Sequence, residues 1–232
     1  MTTEWSEFRV ECEEAYKAFR AGRPEQIQHH NLIRDGDIEL DFAFGLLGLG
    51  APGPGSAALD VGCGGGYVSH CLRRRGYQVT SVDISEAAIA IARQQFPDAS
   101  YLVADAAHPG AWCADARFDL VYIREFHPFT RLDDFEMQVG ILNDYVALLR
   151  GGGWVVLGHA RRGPCLDYRK LRKFCGERRL RTVGPRFMFL NKHLGVGSRQ
   201  HRLTTVLSTL SAAVGRVSRR SWIEFLGIGP GR

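Results

Sequence analysis

What this sequence lacks narrows it first. Its six cysteines (Cys12, Cys63, Cys71, Cys113, Cys165 and Cys175) form no CxxC pair and no zinc-ligand spacing. That excludes the common zinc modules and a disulfide-stapled miniature fold. No apolar run approaches the roughly 18 residues that span a bilayer. The first residues, MTTEWSEFRVECEE, are acidic and lack the apolar stretch of a secretory signal. Free thiols without span or signal predict a cytoplasmic protein. Acidic residues are scarce at one end only. Residues 151–232 hold 3 Asp/Glu against 17 Lys/Arg, whereas residues 1–150 hold 22 against 13. The net charge of +5 therefore conceals a split of −9 and +14 along the chain. Arg outnumbers Lys heavily, a bias that accompanies GC-rich bacterial genomes as readily as a nucleic-acid surface.

What is present is an alternation. Residues 4–20 place Trp5, Phe8, Cys12, Ala15, Tyr16 and Phe19 near helical spacing, and Ile38 to Leu49 reads as a second helix. Ala51 to Ser56, rich in Pro and Gly, breaks regular structure. AALDV (57–61), YQVTSV (77–82), YLVA (101–104), FDLVYI (118–123) and WVVLGH (154–159) read as strands. Helices fall between them: Tyr67 to Arg75, a helix capped by Ser85 and ended by Pro97, and Leu132 to Leu149, stopped by Gly151-Gly152-Gly153. The expected fold is α/β: a doubly wound, mostly parallel, Rossmann-like sheet with helices on both faces. Further on, Asp167 to Cys175 and His201 to Val217 look helical, and RFMFL (186–190) and WIEFLGI (222–228) look like strands.

Asp60-Val61-Gly62-Cys63-Gly64-Gly65-Gly66 is the strongest motif. It lies where the first strand turns into a helix, and glycine there lets the backbone approach a ligand closely. A merely tight turn would look the same, so its partners decide. Asp83 ends the second strand, where a carboxylate can accept both hydroxyls of a ribose. Asp105 follows the third, where it can reach an adenine amino group. Either acid alone is ordinary at a strand end; the ordered set is not. A dinucleotide fingerprint would need glycine at position 67, which is Tyr67. A pyrophosphate would also sit poorly beside Asp60. A cofactor without phosphate, carrying an amino group and a sulfonium, suits these acids better.

LDVGCGGG (59–66), VDIS (82–85), VADAA (103–107), FDLVYIREF (118–126) and LLRGGGWVVLGH (148–159) together resemble the class I S-adenosylmethionine-dependent methyltransferases, over roughly residues 57–160. The resemblance implies a seven-stranded sheet and S-adenosyl-L-methionine as cofactor, leaving S-adenosyl-L-homocysteine. It implies that Gly62, Cys63 and Gly64 line the methionine part, with Asp60 nearby. Asp83 would hold the ribose, Ile84 would pack on the adenine, and Asp105 and Ala106 would edge it. Arg124 would approach the methionine moiety through its backbone. An N-terminal residue closes over the cofactor in such enzymes, and here His29, His30 and Asn31 are the candidates.

The sulfonium already makes the methyl group an electrophile, so the protein must align the partners and exclude water. A base is needed only where the acceptor must lose a proton. His127, in Arg124-Glu125-Phe126-His127-Pro128-Phe129, is the first candidate, since this stretch leaves the fourth strand at the reacting edge. Glu125 is the second, and His30 the third; His159 could also face the acceptor. A histidine before proline is equally ordinary, and a carboxylate such as Glu125 could simply be solvated. No metal-ligand set is visible at this edge. The Asn/Asp-Pro-Pro-aromatic turn of amino-methylating enzymes is replaced by Arg124-Glu125-Phe126-His127.

The expected organisation is an N-terminal helical lid (1–50), a cofactor-binding core (51–160) and a C-terminal part of the same domain (161–232). About thirty residues separate the last two strands, far more than an ordinary hairpin loop of roughly 2–5. This insertion is expected to build the acceptor pocket. The expected function is methyl transfer to oxygen or nitrogen of a small molecule, in bacterial specialised metabolism. No nucleic-acid partner is expected, because the basic residues lack interleaved aromatics and the recognised RNA modules are missing. A homodimer is compatible with the sequence. Action on RNA or protein is one alternative, and a non-catalytic cofactor-binding module is another.

Overall fold

A computed structural model of the chain describes residues 3–23, 33–160, 166–189 and 222–231. Seven strands form one sheet: β1 (Ala57–Val61), β2 (Gln78–Asp83), β3 (Ser100–Val103), β4 (Phe118–Arg124), β5 (Leu149–Ala160), β6 (Leu180–Phe189) and β7 (Trp222–Pro230). Their order is β3-β2-β1-β4-β5-β7-β6. The first five are parallel, and β7 lies antiparallel between β5 and β6. The chain reverses direction across the sheet between β1 and β4, and that switch opens a crevice at the strands' carboxyl ends.

Eight helices accompany the described strands: α1 (Thr3–Arg20), α2 (Ile33–Leu47), α3 (Tyr67–Arg74), α4 (Glu86–Gln95), α5 (Gly110–Cys113), α6 (His127–Thr130), α7 (Phe135–Ala147) and α8 (Tyr168–Glu177). Side-chain caps start three of them. Ser85 Oγ accepts from Ala88 N, Asp134 from Met137 N, and Asp167 from the amides of Arg169 and Lys170. Alternation along β4 and β5 sorts the core into two faces. Val121, Ile123, Val155 and Leu157 pack with Leu142, Tyr145 and Leu171 of α7 and α8. Leu120, Tyr122, Trp154 and Val156 face Leu40 and Phe44 of α2 and Leu72 of α3. Each fully buried leucine of this kind stabilises the fold by roughly 1.5–3 kcal/mol.

Strands β1 to β4 lie where the sequence places them, within a residue at each end, whereas β5 begins at Leu149, five residues before 154. Other features differ as well. The helix before β5 is shorter, Phe135–Ala147 rather than 132–149, because β5 already begins at Leu149 and pairs with Phe118. Gly151-Gly152-Gly153 thus sits inside a strand, at an irregular step in the β4–β5 register. A Cβ on Gly153 would lie 3.0 Å from the Phe118 carbonyl, so only glycine lets the two backbones pass. The helix placed at 38–49 begins earlier, at Ile33, and β6 begins at Leu180 rather than 186. The helix expected over 201–217, and His29, His30, Asn31 and Cys165, lie outside the described residues.

Candidate functional site

The glycine loop takes a shape its sequence requires. Gly62, Gly64 and Gly66 all have positive φ, at 70°, 52° and 81°. A Cβ on Gly66 would meet Tyr101 Oη at 2.8 Å and the Ala92 Cβ at 3.0 Å, so α4 and β3 press directly on the loop. The amides of Gly62 and Cys63 both donate to the Val82 carbonyl, at 2.9 and 3.0 Å, tying the loop to the end of β2. Cys63 is buried, and burial raises its thiol pKa well above the usual range, so it is a neutral wall rather than a nucleophile.

Two buried carboxylates front this loop. Asp83 Oδ2 accepts from Gly64 N and Oδ1 from Ser85 N, both at 2.9 Å. Burial raises its pKa, and those amide bonds oppose the rise. Asp60 accepts from Ser69 Oγ at 2.6 Å, and Ser81 Oγ donates to Ser69 Oγ at 2.9 Å. Burial pushes the Asp60 carboxyl up to about 7, against the Ser69 bond that lowers it. Such a group accepts its charge readily only when a cation stands beside it. Arg124 does not serve fully, because its guanidinium grips Glu39 of α2 through two bonds, Nη2 to Oε1 at 2.7 Å and Nε to Oε2. Burial alone would lower the Arg124 pKa, but the Glu39 charge more than offsets this and keeps it charged. With its side chain turned into α2, Arg124 offers the loop only its carbonyl, 3.8 Å from where a Gly62 Cβ would lie.

Along the edge, Asp105 shapes the turn after β3. Its Oδ1 accepts from Ala107 N at 2.8 Å, and its Oδ2 lies 3.2 Å from His108 Nδ1. The Ala106 carbonyl accepts from Tyr145 Oη, which holds Ala106 against the core. Ile84 is half-buried against the same cluster.

At the other end of the crevice, β4 gives way to α6. Glu125 stands at φ 50°, the left-handed region, and its amide donates to the Gly158 carbonyl at 2.9 Å. Such a backbone costs about 1 kcal/mol or more for a residue with a Cβ. His127 is buried, its ring 4.0 Å from that of Phe8 in α1. Burial, with help from the Arg131 charge, pushes its pKa down to about 4. His159, ending β5, is buried with Nε2 3.1 Å from Tyr168 Oη of α8. His70 sits apart, stacked on Phe96.

The helix α1 lies across this edge. Phe8 reaches His127, while Glu13 Oε2 accepts from Ser85 Oγ at 2.6 Å and from Ala87 N at 3.2 Å. These bonds hold the Glu13 carboxyl below its ordinary range although burial opposes them. Cys12 sits close enough to Asp83 that burial and that carboxylate together push its thiol up to about 12. Glu13, Glu39 and Tyr168 were absent from the residues picked out by sequence, and Phe8 and Cys12 stood there only as residues at helical spacing. Only Glu39 had a usable signal: an acid in the apolar stretch Ile38 to Leu49 needs a buried partner.

The structure therefore brings together Asp60, Gly62, Cys63, Gly64 and Asp83 at one loop, with Ile84, Asp105 and Ala106 along the same edge. Glu125 and His127 follow β4, and His30 lies outside the described residues. Two carboxylates beside a strongly curved loop, with the nearest guanidinium neutralised, fit a ligand bearing ammonium and sulfonium groups. They fit a pyrophosphate poorly. Residues 59–157 match a family described as a methyltransferase domain. Over that stretch the chain is similar to S-adenosylmethionine-dependent methyltransferases. The chain also has curated relatives over part of its length. It is 40% identical over 68 residues to malonyl-[acyl-carrier protein] O-methyltransferase of Serratia marcescens, covering 29% of this chain and 27% of that protein. It is 29% identical over 136 residues to a ubiquinone biosynthesis O-methyltransferase of Xanthomonas campestris pv. campestris, covering 55% and 51%. The chain thus spans about half the length, or less, of these curated relatives. Among solved structures, it resembles magnesium protoporphyrin IX methyltransferase of Synechocystis PCC 6803 with bound SAM (18% identity, 87% and 80% coverage, TM-score 0.56). It also resembles the plantazolicin methyltransferase in complex with a monoazolic analogue and SAH (12% identity, 97% of each chain, TM-score 0.59). At these identities the likeness concerns the fold.

Proposed function

We propose that this chain transfers a methyl group from S-adenosylmethionine to an oxygen atom of a small-molecule acceptor. The observation that carries this reading is the pairing of Asp60 and Asp83, both buried, at a glycine loop that only glycine can form. The O-methyltransferase names of the partial relatives favour oxygen over nitrogen.

The bound cofactor supplies an electrophilic methyl group on a sulfonium; the residues position and enclose it. Asp83 has lone pairs left after its two amide bonds, and these hold the ribose hydroxyls. Gly62, Cys63, Gly64 and the Arg124 carbonyl line the methionine part, and Asp60 gains its charge beside the ammonium group. Ile84, Asp105 and Ala106 border the adenine. Helix α1 acts as a lid: Glu13 latches it to the start of α4, and Phe8 closes the acceptor end. Excluding water and fixing the approach of two reactants lowers a barrier by roughly 7–11 kcal/mol in well-oriented cases. Glu125 and His127 flank the acceptor where β4 ends. Under Phe8, His127 stays neutral and only weakly basic, so its part in proton removal depends on how far the lid opens.

The test is thermal unfolding of the intact chain with S-adenosylmethionine and S-adenosylhomocysteine. Each at a hundredfold excess over its dissociation constant adds about 2.7 kcal/mol of stability. No stabilisation by either sinks the proposal.

A further inference from the structure

One polar pair at the end of β5 lies outside the set of residues assigned to the cofactor. His159 is the penultimate residue of β5, and Tyr168 is the first of α8. Their rings stack at 25° with centroids 6.2 Å apart, and Tyr168 Oη lies 3.1 Å from His159 Nε2. Only 2% of His159 is exposed, whereas Tyr168 is half-buried. Solvent and ligands therefore meet the tyrosine first.

Topology puts the pair beyond Glu125, away from the glycine loop. In the β4–β5 register Arg124 lies opposite Gly158, and the Glu125 amide donates to the Gly158 carbonyl. His159 is thus level with Glu125, one strand further from the glycine loop. Its side chain follows Val155 and Leu157 onto the face that holds Phe126, Phe129 and Leu166. The Leu166 amide donates to the Phe129 carbonyl at 3.2 Å, which pins the start of α8 against α6. Asp167 then caps α8 and fixes where Tyr168 stands. Burying an imidazole against a phenol, each with its ring packed, costs desolvation that a purely apolar contact would avoid.

We propose that Tyr168 and His159 form a proton relay for a hydroxyl acceptor, which makes an alcohol or phenol, rather than a carboxylate, the substrate class. The inference rests on the methyl-transfer reading above. A carboxylate is already deprotonated near pH 7 and needs no base; a hydroxyl does. In the step, the acceptor O–H passes its proton to Tyr168 Oη while the Tyr168 proton passes to His159 Nε2. The acceptor oxygen forms the new bond to the methyl carbon. The carbon–sulfur bond breaks with its electron pair going to sulfur, giving the neutral thioether. The His159 imidazolium afterwards loses its proton to water. Tyr168 is the catalytic residue, and His159 is the positioning residue behind it.

The test uses the intact chain, S-adenosylmethionine and a probe panel of catechol, 4-hydroxybenzyl alcohol, benzoate and hexanoate. Hydroxyl methylation is expected on the first two and no ester formation on the last two. Tyr168→Phe lowers kcat on the hydroxyl probes roughly a hundredfold, and His159→Asn does likewise, with the KM for S-adenosylmethionine unchanged. Nitrogen NMR of His159 provides a readout independent of any acceptor: the relay requires Nε2 unprotonated, with a signal that moves in Tyr168→Phe. Esterification of the carboxylates in preference to the hydroxyls overturns the inference. So does a protonated Nε2 in the resting protein, or a Tyr168→Phe variant with unimpaired kcat. Those results leave the methyltransferase reading standing, whereas failure to bind S-adenosylhomocysteine removes both.

Discussion

The two ends of the crevice are built differently. At the β1–β2 end, most of the functional groups are held by backbone, with glycines at positive φ and Asp83 bonded to the amides of Gly64 and Ser85, and only Asp60 is held by a side chain, that of Ser69. At the β4–β5 end, three groups are held by a side chain from another element. Phe8 covers His127, Glu39 holds Arg124, and Tyr168 meets His159. A backbone-built site is rigid and suited to one invariant ligand. A site assembled from separate helices can be altered one side chain at a time, which suits the variable partner of the reaction.

The strongest way to break this comparison is Asp83→Ala. It removes the acceptor of two amide bonds and the proposed ribose ligand together. S-adenosylhomocysteine binding, read by calorimetry, should fall at least a hundredfold, an energetic loss of about 2.7 kcal/mol or more. Retained affinity would mean the loop, not the carboxylate, carries recognition. Next, Gly66→Ala forces a Cβ into Tyr101 and Ala92 at φ 81° and should cost about 2–4 kcal/mol in denaturant unfolding. An unchanged midpoint would show that α4 can retreat from the loop.

Asp60→Asn sharpens the contrast through pH. The folded Asp60 carboxyl is raised to about 7 from an ordinary 3.8, so the folded chain keeps a proton that the unfolded chain releases. Its stabilising contribution is complete below 3.8 and is lost as pH rises through about 7. The asparagine variant should lose that pH dependence. It should be more stable than the parent at pH 8, by on the order of a few kcal/mol, and bind the cofactor less well. His127 has the opposite sign: lowered from 6.5 to about 4, it favours the fold above 6.5 and ceases to as pH falls through 4. Phe8→Ala should bring its titration, followed by NMR, back toward 6.5. The smallest effect is that of Glu125→Gly, which relieves the positive φ and should stabilise the chain by about 1 kcal/mol while lowering turnover.

Much of the cofactor end was legible in the sequence. The run Asp60 to Gly66, Asp83 at the end of β2 and Asp105 after β3 are short-range patterns, and a strand followed by glycines admits few geometries. The acceptor end was legible only as a location. His127 is visible as a histidine after β4, but its burial under Phe8, 119 positions away, and the weak basicity that follows depend on where α1 lies. Glu13 gave no signal at all, since it is one of several acids on a polar helix face. Gly151-Gly152-Gly153 misled for a related reason: glycines end helices, but here they also let β5 pass close to the carbonyls of β4.

The sequence by itself determined the alternation of strands and helices, the order of acids at the strand ends and the division of charge along the chain. These follow from local periodicity and from backbone freedom that only glycine has. The tertiary structure alone decided which charges are neutralised, which histidine is weakened and which carries a tyrosine beside it. Those properties come from burial and from partners brought together across the sheet, and no local pattern encodes either.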